Sequence, residues 1–184
     1  IVATKMKYHF LSYGDFRFRH SRDRIKREAE NLGIFDKVEI LRRIDVMEWD
    51  VIRENIHRPN FREVWRAKRG GGCYIWKPFI LLSRLSRLKE DEILFYTDCG
   101  STIPNTQQTK DRLMEYASRV SMSHLGCMGF LNAQTECHWT KGDIFDYFQV
   151  YGNGWITKTR QYSGGILHVA RKTEHSMRIY GLWR

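Results

Sequence analysis

Apolar positions along this chain switch repeatedly between a spacing of two and a spacing of three to four. The opening segment "KMKYHFLSYGD" runs from alternation into an apolar stretch and ends in Tyr-Gly-Asp, which predicts a strand over Tyr8 to Leu11 and a glycine turn. Phe18, Ile25, Ala29 and Leu32 then share one helical face, predicting a helix from about Arg19 to Leu32 that Gly33 stops. "DKVEIL" reads as a short strand and completes a βαβ unit, whose crossover makes its two strands parallel.

"VMEWDVIRENI" has helical character. Beyond it a basic segment meets three glycines, Gly70 to Gly72, then an aromatic stretch and a helix with Pro78 near its first turn. Leu81, Leu82, Leu85 and Leu88 form the apolar face of that helix. "EILFYT" is apolar almost throughout, the pattern of a strand buried on both faces. "TKDRLMEYASRV" is helical, with Leu113, Ala117 and Val120 on one side. "GCMGFLNA" reads as a strand, "HWTKGDIFDYF" as a helix entered at Thr140, and "YSGGILHVA" as a strand. "TEHSMRIYGLW" closes as a helix or an irregular tail. The alternation contains no linker and no repeat. It predicts a single α/β domain over 1–184, with a mostly parallel central sheet flanked by helices.

Composition sharpens this in three ways. Hydrophobic residues make up 42% of the 184, enough for a real core and incompatible with a disordered chain. No apolar run reaches the ~18 residues a membrane helix needs, and "IVATKMKYHF" is no secretory signal. The chain does not open on Met, which reads as an excised domain, and a cytoplasmic location is expected. Thirty-one Lys and Arg stand against 21 Asp and Glu, a net charge of +10 that attracts phosphate-bearing partners. The four cysteines form no CxxC pair and suit reduced thiols; Cys127, Cys137 and His138 match no common zinc spacing.

In an open α/β sheet, ligands bind beyond the C-terminal ends of the strands. Two segments fall there: Ser12-Tyr13-Gly14-Asp15, and Asp98-Cys99-Gly100 after the apolar strand. An aromatic such as Tyr13 can stack on a base, and a carboxylate can hold a divalent cation that bridges phosphates. Asp-x-Gly also begins ordinary turns. Arg66, Lys68, Arg69 and Lys77 bracket the glycines and have the charge to neutralise a diphosphate, although a solvated basic loop has the same composition. No GxxxxGK[ST] pattern occurs. "ECHWTKGD" crowds Glu136, Trp139, Lys141 and Asp143 together; Thr140 with Asp143 fits a variant of the capping box. A carboxylate there can serve as general base, and Gln161 can donate hydrogen bonds to a polar ligand.

Taken together, "LSYGDFRF", "RGGGCYIWKPFILLSRLSRLKEDEILFYTDCG", "ECHWTKGDIF" and "RQYSGGIL" resemble one group of GT-A-type glycosyltransferases, found in capsule, surface-glycan and viral glycan gene sets. Its members show an R-G-x-G-Y-W-x-W-K-P block, a strand ending in Asp-x-Gly and a W-T-K-x-D block. The resemblance implies a Rossmann-like GT-A fold and transfer of a sugar from a UDP- or GDP-sugar to a hydroxyl of a glycan or glycoprotein. It implies Mn²⁺ or Mg²⁺ at Asp98, a nucleotide side at Ser12, Tyr13 and Asp15, and a donor-phosphate contact at Lys77. It places the sugar and acceptor side at Trp139, Lys141, Asp143 and Gln161. An inverting reaction would take its base from Asp143, then Glu136. Two positions depart from the pattern. The second acid of the DxD-type motif is absent, leaving His168, His175 or Asp143 as a second ligand. One aromatic is missing from Cys73-Tyr74-Ile75-Trp76. The competing expectations are a basic module that grips nucleic acid through the "RFRHSRDRIKR" run, whose mixed acids and lack of a known motif weigh against it, and a nucleotidyltransferase.

Overall fold

A computed structural model describes residues 6–47, 49–163 and 167–183. The chain divides into two compact units, Ile1–Met128 with His168–Arg184, and Gly129–Leu167. The larger unit begins with β1 (Lys7–Tyr13), a 3₁₀ turn at Phe16–Phe18, α1 (Arg19–Leu32) and β2 (Lys37–Leu41). Short helices α2 (Arg43–Met47), α3 (Asp50–Asn55) and α4 (Pro59–Arg66) lead to a tight turn, α5 (Gly70–Cys73), and to α6 (Trp76–Leu85). Then come β3 (Glu92–Thr97), α7 (Gln107–Met122) and β4 (Cys127–Met128). The smaller unit holds β5 (Phe130–Thr135), α8 (Glu136–Trp139), α9 (Gly142–Tyr147), α10 (Trp155–Lys158) and β6 (Arg160–Ser163). The chain returns through β7 (Leu167–Arg171) and α11 (Glu174–Trp183).

The larger sheet is mixed, in the order β2-β1-β3-β7-β4. β1 runs parallel to β2 on one side and to β3 on the other, while β4 and β7 are antiparallel. The expected α/β class with flanking helices is what forms, but the sheet, expected to be mostly parallel, is mixed, with its parallel part at the β2-β1-β3 end. β3 is buried along its whole length. Its alternate residues Leu94 and Tyr96 join the core made by α4 and α6, where Trp65, Ile80, Leu81 and Leu85 are sealed from water. Phe95 points the other way, edge-on to Tyr8 and Phe35. The period of two thus feeds two apolar layers, which is why the four residues between Glu92 and Thr97 are aliphatic or aromatic. α1 closes over one layer with Ile25, Ala29 and Leu32, all fully buried, and ends on Gly33 at φ +71°, where the glycine N–H reaches the Glu30 carbonyl.

Several elements depart from the sequence pattern. β1 extends past Leu11 to Tyr13, because Ser12 and Tyr13 still pair with β2. "GCMGFLNA" is not one strand. It breaks at Gly129, β4 pairing with β7 while β5 pairs with β6 in a separate two-stranded sheet. "YSGGILHVA" is divided likewise between β6 and β7; its residues 164–166 lie outside the described residues. Local alternation carries no mark of which partner a strand will find, so it cannot register a change of sheet. "HWTKGDIFDYF" is two short helices with Thr140 and Lys141 between them. The Thr140 hydroxyl donates back to Glu136 Oε2 at 2.8 Å, so it caps nothing, and Lys141 is the residue that precedes α9. The closing segment is a helix, entered where the Ser176 N–H donates to Thr173 Oγ1.

Ile93 is wholly buried in β3. Ile93→Ala should cost about 2–5 kcal/mol, through lost transfer energy and the cavity left behind. Urea unfolding followed by tryptophan fluorescence would measure it; a loss well under 1 kcal/mol would contradict the packing described.

Candidate functional site

Because β1 and β3 are parallel neighbours, in register from Lys7↔Glu92 to Leu11↔Tyr96, their C-terminal ends reach the same edge of the sheet. Ser12 welds them there: its fully buried hydroxyl donates to the Thr97 carbonyl at 2.7 Å. A cavity of about 340 Å³ opens at this edge. Tyr13, Gly14 and Asp15 line it from one strand end and Asp98, Cys99 and Gly100 from the other. The two turns nearly touch. A Cβ on Gly14 would lie 2.8 Å from Cys99 Sγ and 2.8 Å from Arg22 Cγ, which requires glycine at that position. Ser12, expected on the nucleotide side, is spent on the weld and is absent from the cavity lining.

The third wall comes from the glycine run. Gly70, Gly71, Gly72, Cys73 and Tyr74 all have positive φ, between +50° and +106°. Their bonds, such as Cys73 N to the Arg69 carbonyl at 2.7 Å, close a left-handed turn. L-residues avoid this conformation by roughly 1–2 kcal/mol each, so three glycines carry most of it and Cys73 and Tyr74 bear the rest. The turn lays the Tyr74 ring back over Gly70, where a Cβ would meet it at 2.6 Å. It also presents the Gly70 carbonyl to Trp76 Nε1 at 2.9 Å. Trp76 in turn stacks on Tyr13, with ring centroids 3.9 Å apart and planes 27° from parallel. The result is an aromatic wall. The Tyr13 hydroxyl is buried with no hydrogen-bond partner among the described residues, and burial pushes its pKa up to about 12.

The two carboxylates at the strand ends have different partners. Asp15 is almost completely buried and grips Arg17: Nε lies 3.3 and 3.1 Å from its two oxygens and Nη2 lies 2.6 Å from Oδ2. The Arg17 side-chain hydrogen bonds hold the Asp15 carboxyl below its ordinary value, more strongly than burial raises it. Asp98 is a third exposed. Its Oδ1 accepts a short bond from the Tyr96 hydroxyl and an ion pair from Lys77 Nζ at 2.9 Å. Lys77 itself is only 3% exposed, with its ammonium over the rings of Tyr74, Trp76 and Tyr96 at 5.6, 5.6 and 5.4 Å. Expected beside the donor phosphate, Lys77 is placed behind Asp98. Burial drives the Tyr96 phenol far above its usual pKa, so it remains a donor. Burial and the Asp98 charge lift the Cys99 thiol to about 11, so it stays protonated near neutral pH.

Helix α1 fixes the turn after β3. Arg24 Nη2 donates to the carbonyls of Cys99, Gly100 and Ser101 at 3.2, 3.4 and 2.8 Å, and Glu28 accepts from the Ile103 N–H at 2.8 Å. Arg17 and Arg24, both inside the basic run, are therefore the site residues that periodicity and charge did not single out. The one available signal was their position: the first follows Asp15 by two, and the second lies on the polar side of α1.

A cation at Asp98 must be tested against these partners. Among the described residues no three His, Cys, Asp or Glu side chains come together as ligands. Asp15 is committed to Arg17, and His168 is stacked on Trp183 with Nδ1 3.1 Å from the Tyr180 hydroxyl. His175 is half-buried on α11. Asp98 thus fits only a cation that takes most of its ligands from phosphate and water.

In the smaller unit, Asn132 Nδ2 donates to Gln161 Oε1 at 2.7 Å, and Gln161 Nε2 lies 3.5 Å from the Thr140 hydroxyl, which continues to Glu136. Gln161 and Glu136, separated by 25 positions in sequence, are brought into one chain of hydrogen bonds. Trp139 is 60% exposed, with Nε1 bonded to Gln134 Oε1 at 2.7 Å, and Asp143 is exposed in the first turn of α9. Comparison of the chain with family models, with curated proteins and with solved structures gives no match.

Two outcomes follow from this geometry. A Cβ at residue 72 would sit 2.9 Å from the Trp65 carbonyl at φ +106°, so Gly72→Ala should lower stability by about 2 kcal/mol or more, read as the urea midpoint. An unchanged midpoint would refute the left-handed turn. Arg17→Gln should raise the Asp15 pKa, followed by NMR titration of its carboxyl carbon. The sign is that of a depressed carboxyl: its stabilisation is present above the unfolded value of about 3.9 and is lost as pH falls through the folded value. An Asp15 midpoint identical in the two proteins would remove Arg17 as the cause.

Proposed function

We propose that this chain is a glycosyltransferase that moves a sugar from a nucleotide-diphosphate donor, a UDP- or GDP-sugar, to a hydroxyl of a glycan or glycoprotein. The observation that carries the reading is the cavity at the shared C-terminal edge of β1 and β3. There a carboxylate follows each strand, at Asp15 and Asp98, and an aromatic wall stands beside them. This is where an open α/β sheet takes its ligands. The half-exposed Tyr74 ring, backed by the buried Tyr13–Trp76 stack, offers aromatic surface to a base, and Asp98 lines the same cavity. The Rossmann-like GT-A arrangement belongs to this proposal and rests on the same residues.

The chemistry asked of the site is charge neutralisation. As the glycosidic bond to the donor phosphate breaks, negative charge grows on the leaving diphosphate, and donors already in place stabilise it without reorganising. Mn²⁺ or Mg²⁺ held by Asp98, with phosphate and water as its other ligands, would supply part of that charge. Lys77 compensates the Asp98 carboxylate and keeps it fixed against β3. On the acceptor side the proposal keeps Trp139, whose exposed indole is suited to a sugar face, and Gln161. Asp143, exposed on α9, is the first candidate to take the acceptor proton in an inverting transfer, and Glu136 the second.

The test is thermal stability with UDP, GDP, CMP and their sugars, each with and without Mn²⁺. A nucleotide at a hundred times its Kd adds about 2.7 kcal/mol of stability by mass action. The expected result is a shift with one nucleoside diphosphate, larger with Mn²⁺, whose metal-dependent part disappears in Asp98→Ala. Release of the nucleoside diphosphate from the matching sugar would follow. Pyrophosphate as product would indicate a nucleotidyltransferase. A shift with oligonucleotides alone, falling steeply with salt, would replace the reading with a nucleic-acid-binding module.

A further inference from the structure

Arg17 is held in an unusual way for a surface arginine. One edge of its guanidinium, Nε and Nη2, is spent on the nearly buried Asp15. The second N–H of Nη2 reaches the carbonyl of Lys68, another residue of the cavity lining, at 2.8 Å. Among the described residues Nη1 has no hydrogen-bond partner. The side chain is 40% exposed and lines the cavity, as do Lys68 and the glycine turn. The backbone of Arg17 is pinned as well, its N–H donating to Asp15 Oδ1 at 2.9 Å. A flexible cation has thus been fixed in one orientation with two N–H groups left over. Tyr13 also lines this cavity, and its own hydroxyl is buried with no hydrogen-bond partner among the described residues. Lys77, in contrast, is buried behind Asp98 and pointed at a carboxylate.

We propose that Arg17 is the anion anchor of this cavity, donating through Nη1 to a phosphate oxygen of a diphosphate, and that Asp15 is a positioning residue that holds Arg17 in place. The inference deepens the nucleotide-sugar reading and rests on it for the identity of the diphosphate. Arginine suits the task because its rigid fork can be divided between a holder and a ligand, which a lysine ammonium cannot do. Asp15, at the position expected to touch the nucleotide, acts through Arg17.

The experiment is calorimetric titration of the whole chain with inorganic pyrophosphate, UDP and GDP, and with uridine and guanosine as controls without phosphate. Arg17→Gln should weaken pyrophosphate and the preferred nucleoside diphosphate by about tenfold or more, the scale of a lost charge-assisted hydrogen bond, and leave the nucleosides unchanged. Arg17→Lys, which keeps the charge and loses the fork, should fall between; it decides the matter if the glutamine variant does not fold. Asp15→Asn separates positioning from simple electrostatics. Removing a negative charge beside an anion site would by Coulomb's law tighten binding, whereas loss of the Arg17 holder weakens it. Tighter pyrophosphate binding in Asp15→Asn, unchanged binding in Arg17→Gln, or no pyrophosphate binding by the parent chain would each overturn the anchor. Arg17-dependent pyrophosphate binding without any sugar transfer would sink the transferase reading and leave the anchor standing. Sugar transfer with donor affinity unchanged in Arg17→Gln would do the reverse.

Discussion

The parallel pairing of β1 with β3 is the constraint on which the larger unit depends. Two parallel neighbours cannot be joined by a hairpin, so everything between them in sequence must cross over the sheet. That crossover contains α1, β2, the short helices and α6, which together supply the apolar layers that seal β3 on both faces. The same pairing brings the two strand ends side by side. Asp15 and Asp98 are separated by more than eighty residues, yet Ser12, three residues before the first, bonds Thr97, the residue before the second. The cavity is therefore a consequence of topology before it is a consequence of any particular side chain.

The second organising feature is how the excess of positive charge is used. An arginine-rich helix beside a sheet would ordinarily be a solvated face. Here Arg24 is turned across the surface onto three successive carbonyls of the turn after β3, while also pairing with Glu28 on its own helix. Arg17, just ahead of the helix, lies on Asp15. These contacts are individually modest where exposed. Their effect is geometric, since they fix the turn after β3 and one wall of the cavity. Lys77 takes the opposite route, its ammonium withdrawn among three aromatic rings and satisfied by Asp98, an arrangement that tolerates burial because charge and π faces replace water.

The left-handed turn at Gly70 to Tyr74 links the two. It places two non-glycine residues in a conformation they avoid, and the return is the position of the Tyr74 and Trp76 rings over the cavity. Strain of this kind persists where surrounding contacts over-determine it. The Trp76 bond to Gly70, its stack on Tyr13 and the Arg43 contacts to the Gly71 and Trp65 carbonyls provide that over-determination.

The sequence by itself determined the elements whose apolar period matched their burial. These are the first strand, α1 with its glycine stop, β3 with its apolar interior, the helix around Pro78, and hence the α/β class. It also pointed to both strand-end turns, because residues that break an apolar run announce themselves locally. Only the tertiary structure decided the rest. The segments "GCMGFLNA" and "YSGGILHVA" are each divided between two sheets, since pairing is a choice of partner that alternation cannot encode. Thr140 had the right residue type for a cap but found Glu136 instead. Arg17 and Arg24 looked like solvated charge, because a charged residue on a polar face reads the same whether its partner is water or a carbonyl seventy-five residues away. Side-chain type is a local property and is written in the chain, whereas the partner of a charge is set by which distant segments the sheet brings together.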